Sequence, residues 1–188
     1  MKYLNATLIV TDLEATCWED SPHDNDMEII QIASIPLVVG RGRFVDEQPT
    51  TSFNEYVHPQ VTSKLSDFCI ELTGITQATV NKARYFPDVY DQWNDWLTQF
   101  PNPVFCSWGW YDYGQFWKDT NRFPGLAGSF NWPHINLKEY VYSKIGGRHM
   151  GTYSVLRRLG LPVIGRQHDA YSDVSNIVQI IKHVWGRG

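Results

Sequence analysis

The feature that most constrains this chain is the short apolar run Ala6 to Val10, followed at once by Asp12, Leu13 and Glu14. The run reads as a buried strand ending at Asp12. Residues two apart on a strand share a face, so the two carboxylates point the same way. Acids at the end of a buried strand are costly unless something cationic meets them. Alone, the pair is a weak signal, and a solvated loop start explains it equally well.

Glu28 to Val39 is rich in β-branched residues and predicts a second strand. Pro36 would sit at its edge or at a bulge, because proline cannot donate to a ladder. Gly40 to Gly42 makes the turn, and Phe53 to His58 returns with period-two alternation. Helical signals then take over. Ser66 caps a short helix from Asp67 to Leu72, stopped by Gly74, and Thr76 opens another through Val80. Pro87 starts a helix on which Val89, Trp93, Trp96, Leu97 and Phe100 recur at helical spacing. Val104 to Trp108 reads as a buried strand, Tyr113 to Phe123 as a helix and Ile135 to Leu137 as a short strand. Lys138 to Ile145 and Thr152 to Leu159 read as helices. The last helix runs to Trp185, with Ala170, Val174, Ile177 and Ile181 on one face. A meander followed by α/β crossovers predicts an α/β fold: a mixed β-sheet, antiparallel then parallel, flanked by α-helices. A single domain over residues 1–188 is expected.

Composition limits the function classes. Charged residues make up 19 % and aromatics 14 %, which excludes disorder as the main state. The formal net charge of −4 excludes a protein that coats nucleic acid through Lys/Arg patches, but not a nucleic-acid substrate. Cys17, Cys69 and Cys106 are odd in number and lack a C-x-x-C pair, so buried, reduced thiols are expected. The amino-terminal apolar run lacks the form of a signal peptide, and no stretch approaches the roughly 20 apolar residues of a membrane span. A cytoplasmic protein without membrane association is the expectation, with a homodimer through surplus aromatic surface left open.

Further acids stand where elements meet. Asp112 follows an aromatic-walled segment, Ser107 to Tyr111. Taken alone it is best read as the N-cap of the next helix. Asp173 and Asn176 share a helical face. His168 would lie about 140° from Asp173 on an ideal helix. The two can face one site only if His168 lies on the preceding loop or first turn. Asp173 could otherwise simply complement the helix dipole. Together, four such acids suit hard cations such as Mg²⁺ or Mn²⁺. Two ions about 3.5–4 Å apart can clamp both oxygens of a phosphodiester displacement, and a neutral histidine can take a proton from water. Phosphate-loop, nucleophile-elbow and dinucleotide fingerprints are absent. Gly146 to Gly151 reads as a helix connection, although Arg148 and His149 could touch phosphate.

The sequence resembles the DEDDh 3′–5′ exonucleases of the DnaQ-like, ribonuclease-H-fold superfamily. Within it, the chain looks like the branch of the histone-mRNA 3′-end exonuclease and the exoribonucleases that modulate RNA interference. The stretches that carry this are Thr11 to Trp18, Glu28 to Ile32, Leu65 to Gln77, Trp108 to Asp112, and His168-x4-Asp173-x2-Asn176. The third is particularly characteristic of the branch. The resemblance implies a ribonuclease-H-like sheet. It also implies Asp12, Glu14, Asp112 and Asp173 as ligands of two divalent ions, Mg²⁺ or Mn²⁺, with His168 as general base. The implied reaction removes nucleoside 5′-monophosphates from the 3′ ends of single strands, with RNA favoured and DNA open.

The same resemblance places Leu13, Ala15 and Thr16 beside the terminal nucleotide, and Leu72 and Ile75 in the wall of its base pocket. Tyr111 or Tyr113 would stack on a base or pack in the core. Asn176 would orient His168 or Asp173, or be an exposed helix polar residue. Asp169 stands where many relatives carry a basic or small residue. It would act on the neighbouring histidine, repel phosphate or point to solvent. An oligoribonuclease or a polymerase-associated proofreading exonuclease shares the acid pattern, and the Leu65 to Gln77 segment argues against the former. An inactive binding module would be expected to have lost an acid or the histidine, and all five are present.

Overall fold

The structure is a computed structural model that describes residues 6–20, 27–40, 43–44 and 51–185. Its strands are β1 (Thr7–Ala15), β2 (Ile29–Gly40), β3 (Arg43–Phe44), β4 (Phe53–His58), β5 (Arg84–Tyr85), β6 (Pro103–Ser107) and β7 (His134–Asn136). They form one mixed sheet in the order β5-β4-β2-β1-β6-β7, with β3 paired to the end of β2. Pairing is antiparallel among β1, β2 and β4 and parallel from β1 through β6 to β7. The helices are α1 (Asp67–Thr73), α2 (Gln77–Lys82), α3 (Phe86–Leu97), α4 (Tyr111–Arg122), α5 (Leu137–Ile145), α6 (Thr152–Leu159) and α7 (Ala170–Trp185). The architecture is the mixed α/β sheet with flanking helices that the sequence predicts. No helix among the described residues is long and apolar enough to cross a membrane.

Strand alternation builds a core on each face of β1. Leu8 and Val10 join the core formed with α5, α6 and α7. Ile9 and Leu13 join the aromatic core formed with α3 and α4, where Trp93, Phe105 and Phe116 meet. The even-numbered side of β1 therefore faces α7, and that side carries Asp12 and Glu14.

Local signals place several boundaries. Ser66 and Thr76 accept the capping bonds of α1 and α2, and Gly74 ends α1 at φ 74°. Pro36 pairs with Ile9 of β1, while β4 covers β2 only from Gln31 to Ser34, so the proline has a local edge. Other expectations need correction. β1 does not end at Asp12. β2 pairs with it as far as Ala15, so both carboxylates lie inside the strand. Asp112 is not an N-cap: Trp110 holds that position and Asp112 stands in the first turn of α4. Trp108 lies beyond β6, which stops at Ser107. The two-residue strands β3 and β5 carried no sequence signal. The Gly40 to Gly42 turn falls partly outside the described residues.

Glu28, inside one of the family-like stretches, has a structural task. Its carboxylate accepts the backbone N–H groups of Gln60, Val61 and Thr62 at 2.7–2.9 Å, which fixes the loop leading to α1.

Candidate active site

The site forms where β1 and β6 part. β6 pairs with β1 only from Thr7 to Val10. Beyond that point the carboxyl end of β1 has no neighbour on that side, and strand ends of this kind leave a crevice. Asp112 enters the gap from α4, its Oδ1 accepting the Leu13 backbone N–H at 3.2 Å. From the α7 side comes Asp173, whose Oδ2 accepts the His168 backbone N–H at 2.9 Å. That bond holds His168 at φ 61°, an uncommon left-handed conformation for a non-glycine residue. His168 thus sits on the loop before α7, the one placement that lets it share a site with Asp173.

These residues line a cleft of about 530 Å³, a size suited to a small ligand. Glu14, His168 and Asp173 each offer a donor atom within 4.8 Å of the others. Burial, and then the carboxylates of Asp112, Asp173 and Glu14, hold the Asp12 carboxyl well above its usual range. Burial, followed by Asp173 and Asp112, pushes Glu14 up to about 8. Asp112 is pushed up to about 7 by burial, against hydrogen bonds that lower it. Asp173 is also raised, again chiefly by burial. Four crowded carboxylates hold protons tightly, and the His168 imidazole offsets this only in part at Asp173. The Tyr153 hydroxyl lies beside Asp173, and its hydrogen bond there offsets part of that rise. Four carboxylates sharing one cleft, an all-oxygen set, fit a hard divalent cation.

The other residues singled out by sequence divide sharply. Leu13, Ala15, Leu72 and Tyr111 line the cleft. Thr16 does not: it is buried, and its hydroxyl accepts the Glu28 N–H. Ile75 packs with Ile30, Leu65, Cys69 and Val80 beneath α1, away from the cleft. Tyr113 packs against Phe105 and Phe130 and donates to the Trp132 carbonyl, so it belongs to the core. Asn176 is fully buried, and its amide exchanges two hydrogen bonds with the backbone of Ile164. It touches neither His168 nor the cleft. Asp169 is the N-cap of α7, accepting the N–H and hydroxyl of Ser172 and the amide of Gln31. It is half-buried rather than solvent-facing, and its negative charge reaches the cleft, where it adds to the rise of Asp12, Glu14 and Asp173.

Some cleft residues escaped the sequence reading. Trp108 forms a wall, its indole N–H donating to the Met150 carbonyl. Gly151 to Ser154, at the start of α6, also line the cleft. The glycine-rich segment before them was the available signal. It does connect two helices, and it also sets α6 against the site. Cys17 lines the cleft and is half-buried rather than buried, while Cys69 and Cys106 are buried free thiols.

A carboxylate cluster with an adjacent histidine, near the carboxyl end of a strand in a mixed α/β sheet, has the donor set that metal-assisted phosphodiester hydrolysis requires. Comparison with known proteins resolves the class further. The exonuclease (RNase_T) family model matches residues 9–181, and the chain belongs to that family. It is 30 % identical over 184 residues to human 3′-5′ exoribonuclease 1, covering 92 % of this chain and 50 % of the relative. It is 31 % identical over 188 residues to human ERI1 exoribonuclease 3, covering 96 % of this chain and 54 % of the relative. The chain therefore spans about half the length of these curated relatives. Among solved structures it resembles the nuclease domain of 3′hExo, a DEDDh family member bound to rAMP. That match has a TM-score of 0.85 at 26 % identity and covers 100 % of this chain and 94 % of that one.

Proposed function

We propose that the chain is a divalent-cation-dependent 3′–5′ exonuclease that trims single-stranded RNA and releases nucleoside 5′-monophosphates. One observation carries the reading. Asp12, Glu14, Asp112 and Asp173 converge on one cleft from three separate elements, and His168 stands within 4.8 Å of two of them by donor atom. The names of the relatives and the rAMP held by the structural neighbour support RNA as the substrate.

The four carboxylates would hold two ions, Mg²⁺ or Mn²⁺. When bound, these ions supply the positive charge that polarises water and stabilises a leaving oxygen. His168 accepts the proton of the attacking water at its imidazole nitrogen. Its backbone bond to Asp173 keeps the ring at the cleft. Leu13, Ala15 and Leu72 provide an apolar seat for the terminal nucleotide, with Trp108 and Tyr111 offering aromatic faces at its rim.

The test is a panel of single- and double-stranded RNA and DNA, labelled at either end, together with a dinucleotide. It is run with Mg²⁺, Mn²⁺ or chelator. Stepwise loss from the 3′ end of single-stranded RNA with 5′-monophosphate product supports the reading. Degradation from the 5′ end, or activity that survives chelation, contradicts it. Cleavage of the dinucleotide alone would instead mark an oligoribonuclease.

A further inference from the structure

The loop between α6 and α7 carries His168, and side chains from elsewhere hold its course. The Asn176 amide pins Ile164 at 2.8–2.9 Å, and Gln179 donates to the Pro162 carbonyl at 2.9 Å. Arg166 reaches in another direction. Its guanidinium donates to the carbonyls of Glu71 and Leu72 at the end of α1, the latter at 3.0 Å.

That helix end requires such a partner. The last carbonyls of a helix lack intrahelical donors, and α1 has no basic residue of its own in its last turn. The local backbone also makes room for the guanidinium. Gly74 turns away at φ 74°, and a Cβ there would collide with Arg166 Nη1. Both joined segments line the cleft: Leu72 from the end of α1, Gln167 and His168 from the loop. The Arg166 side chain lies at the surface and is absent from the cleft lining.

We propose that Arg166 is a positioning residue that sets the His168 loop against the nucleotide wall at Leu72. It ties the seat of the 3′-terminal nucleotide to the group that deprotonates water. The inference rests on the reading of His168 as general base. A lysine cannot reproduce the link, because one ammonium lacks the planar fork that spans two carbonyls.

The experiment measures single-turnover hydrolysis of 5′-labelled single-stranded RNA by the full chain, with enzyme in excess. The variants are Arg166→Ala, Arg166→Lys, His168→Ala and the double variant Arg166→Ala/His168→Ala. Arg166→Ala should slow the maximal rate about tenfold to a hundredfold, the usual result of misplacing a catalytic group by an ångström or so. Half-saturation should change little, Arg166→Lys should recover only part of the rate, and Arg166→Ala should cost nothing more once His168 is gone. Equal losses in both backgrounds would mean a general structural role and overturn the proposal. Weaker, less salt-dependent RNA binding with an unchanged maximal rate would mean a direct phosphate contact and overturn it too. A fully active His168→Ala enzyme would overturn the general-base reading as well. Additivity beside an impaired His168→Ala overturns the Arg166 proposal alone.

Discussion

Each carboxylate of the cluster is costly where it stands, and the cost is greatest without a cation. Glu14 rises from an ordinary 4.5 to about 8, and Asp112 from 3.8 to about 7. In that interval the folded state binds more protons than the unfolded state, so stability must fall as pH rises. The chelated protein should therefore melt at progressively lower temperature from about pH 4 to about pH 8. Divalent ions should reverse the fall, and Asp12→Asn should blunt it. Thermal unfolding with chelator across that range checks this, and a melting temperature that climbs with pH would refute it. His168→Ala should lower the hydrolysis rate by about 10²–10⁴-fold, the usual worth of a positioned base, with the fold retained. The capping role of Asp169 makes a separate prediction. Asp169→Ala should cost about 1 kcal/mol in denaturant unfolding, whereas Asp169→Asn should keep the cap and most of the activity. A large rate loss in Asp169→Asn would show instead that its charge acts on His168.

Among the elements, β1 and α7 do most to build the site: β1 was legible from its apolar run, though not its extension to Ala15, and α7 from apolar periodicity. The step from Ala170 to Ile181 along α7 put its buried face on the sheet, and Asp173 followed with it. What periodicity does not contain is the direction of each polar or aromatic side chain in an irregular or first-turn position. Helical residues two apart diverge by about 200°, so Tyr111 reaches the cleft while Tyr113 packs against the core. Leu72 and Ile75 straddle the left-handed turn at Gly74, which sends one to the cleft and the other beneath α1. Asn176 was ambiguous because its partner, Ile164, lies in a loop with no pattern of its own. Asp112 looked like a cap because a carboxylate at N2 and one at N-cap differ by only two residues in sequence. On the opposite face, α3 anchors the aromatic core through Trp93, which is 1 % exposed and donates to the Ser34 hydroxyl. Trp93→Ala should destabilise the protein by about 3–5 kcal/mol, read as a shift in urea midpoint at constant slope. A loss below 1 kcal/mol would mean that this core closes around the gap.

At the scale of the whole molecule, the chain carries a net charge of −4 while its proposed substrate is a polyanion. The structure locates a large share of the difficulty at one place, the four carboxylates of the cleft. Two divalent ions there would bring the formal total to about zero and make attraction for phosphate local. Binding should then respond weakly to monovalent salt, with a log–log slope shallower than about −2, unlike the steep dependence of a basic binder. The proposed role of this cluster is that of a divalent-cation centre for removal of 3′-terminal nucleotides. The most direct test follows 5′-labelled single-stranded RNA over time with Mn²⁺, comparing the unaltered protein with Asp12→Asn and with chelator. A ladder shortening one nucleotide at a time, abolished by chelator and slowed about a thousandfold in Asp12→Asn, is the predicted result. Full activity in Asp12→Asn, or an unchanged ladder in chelator, would contradict it.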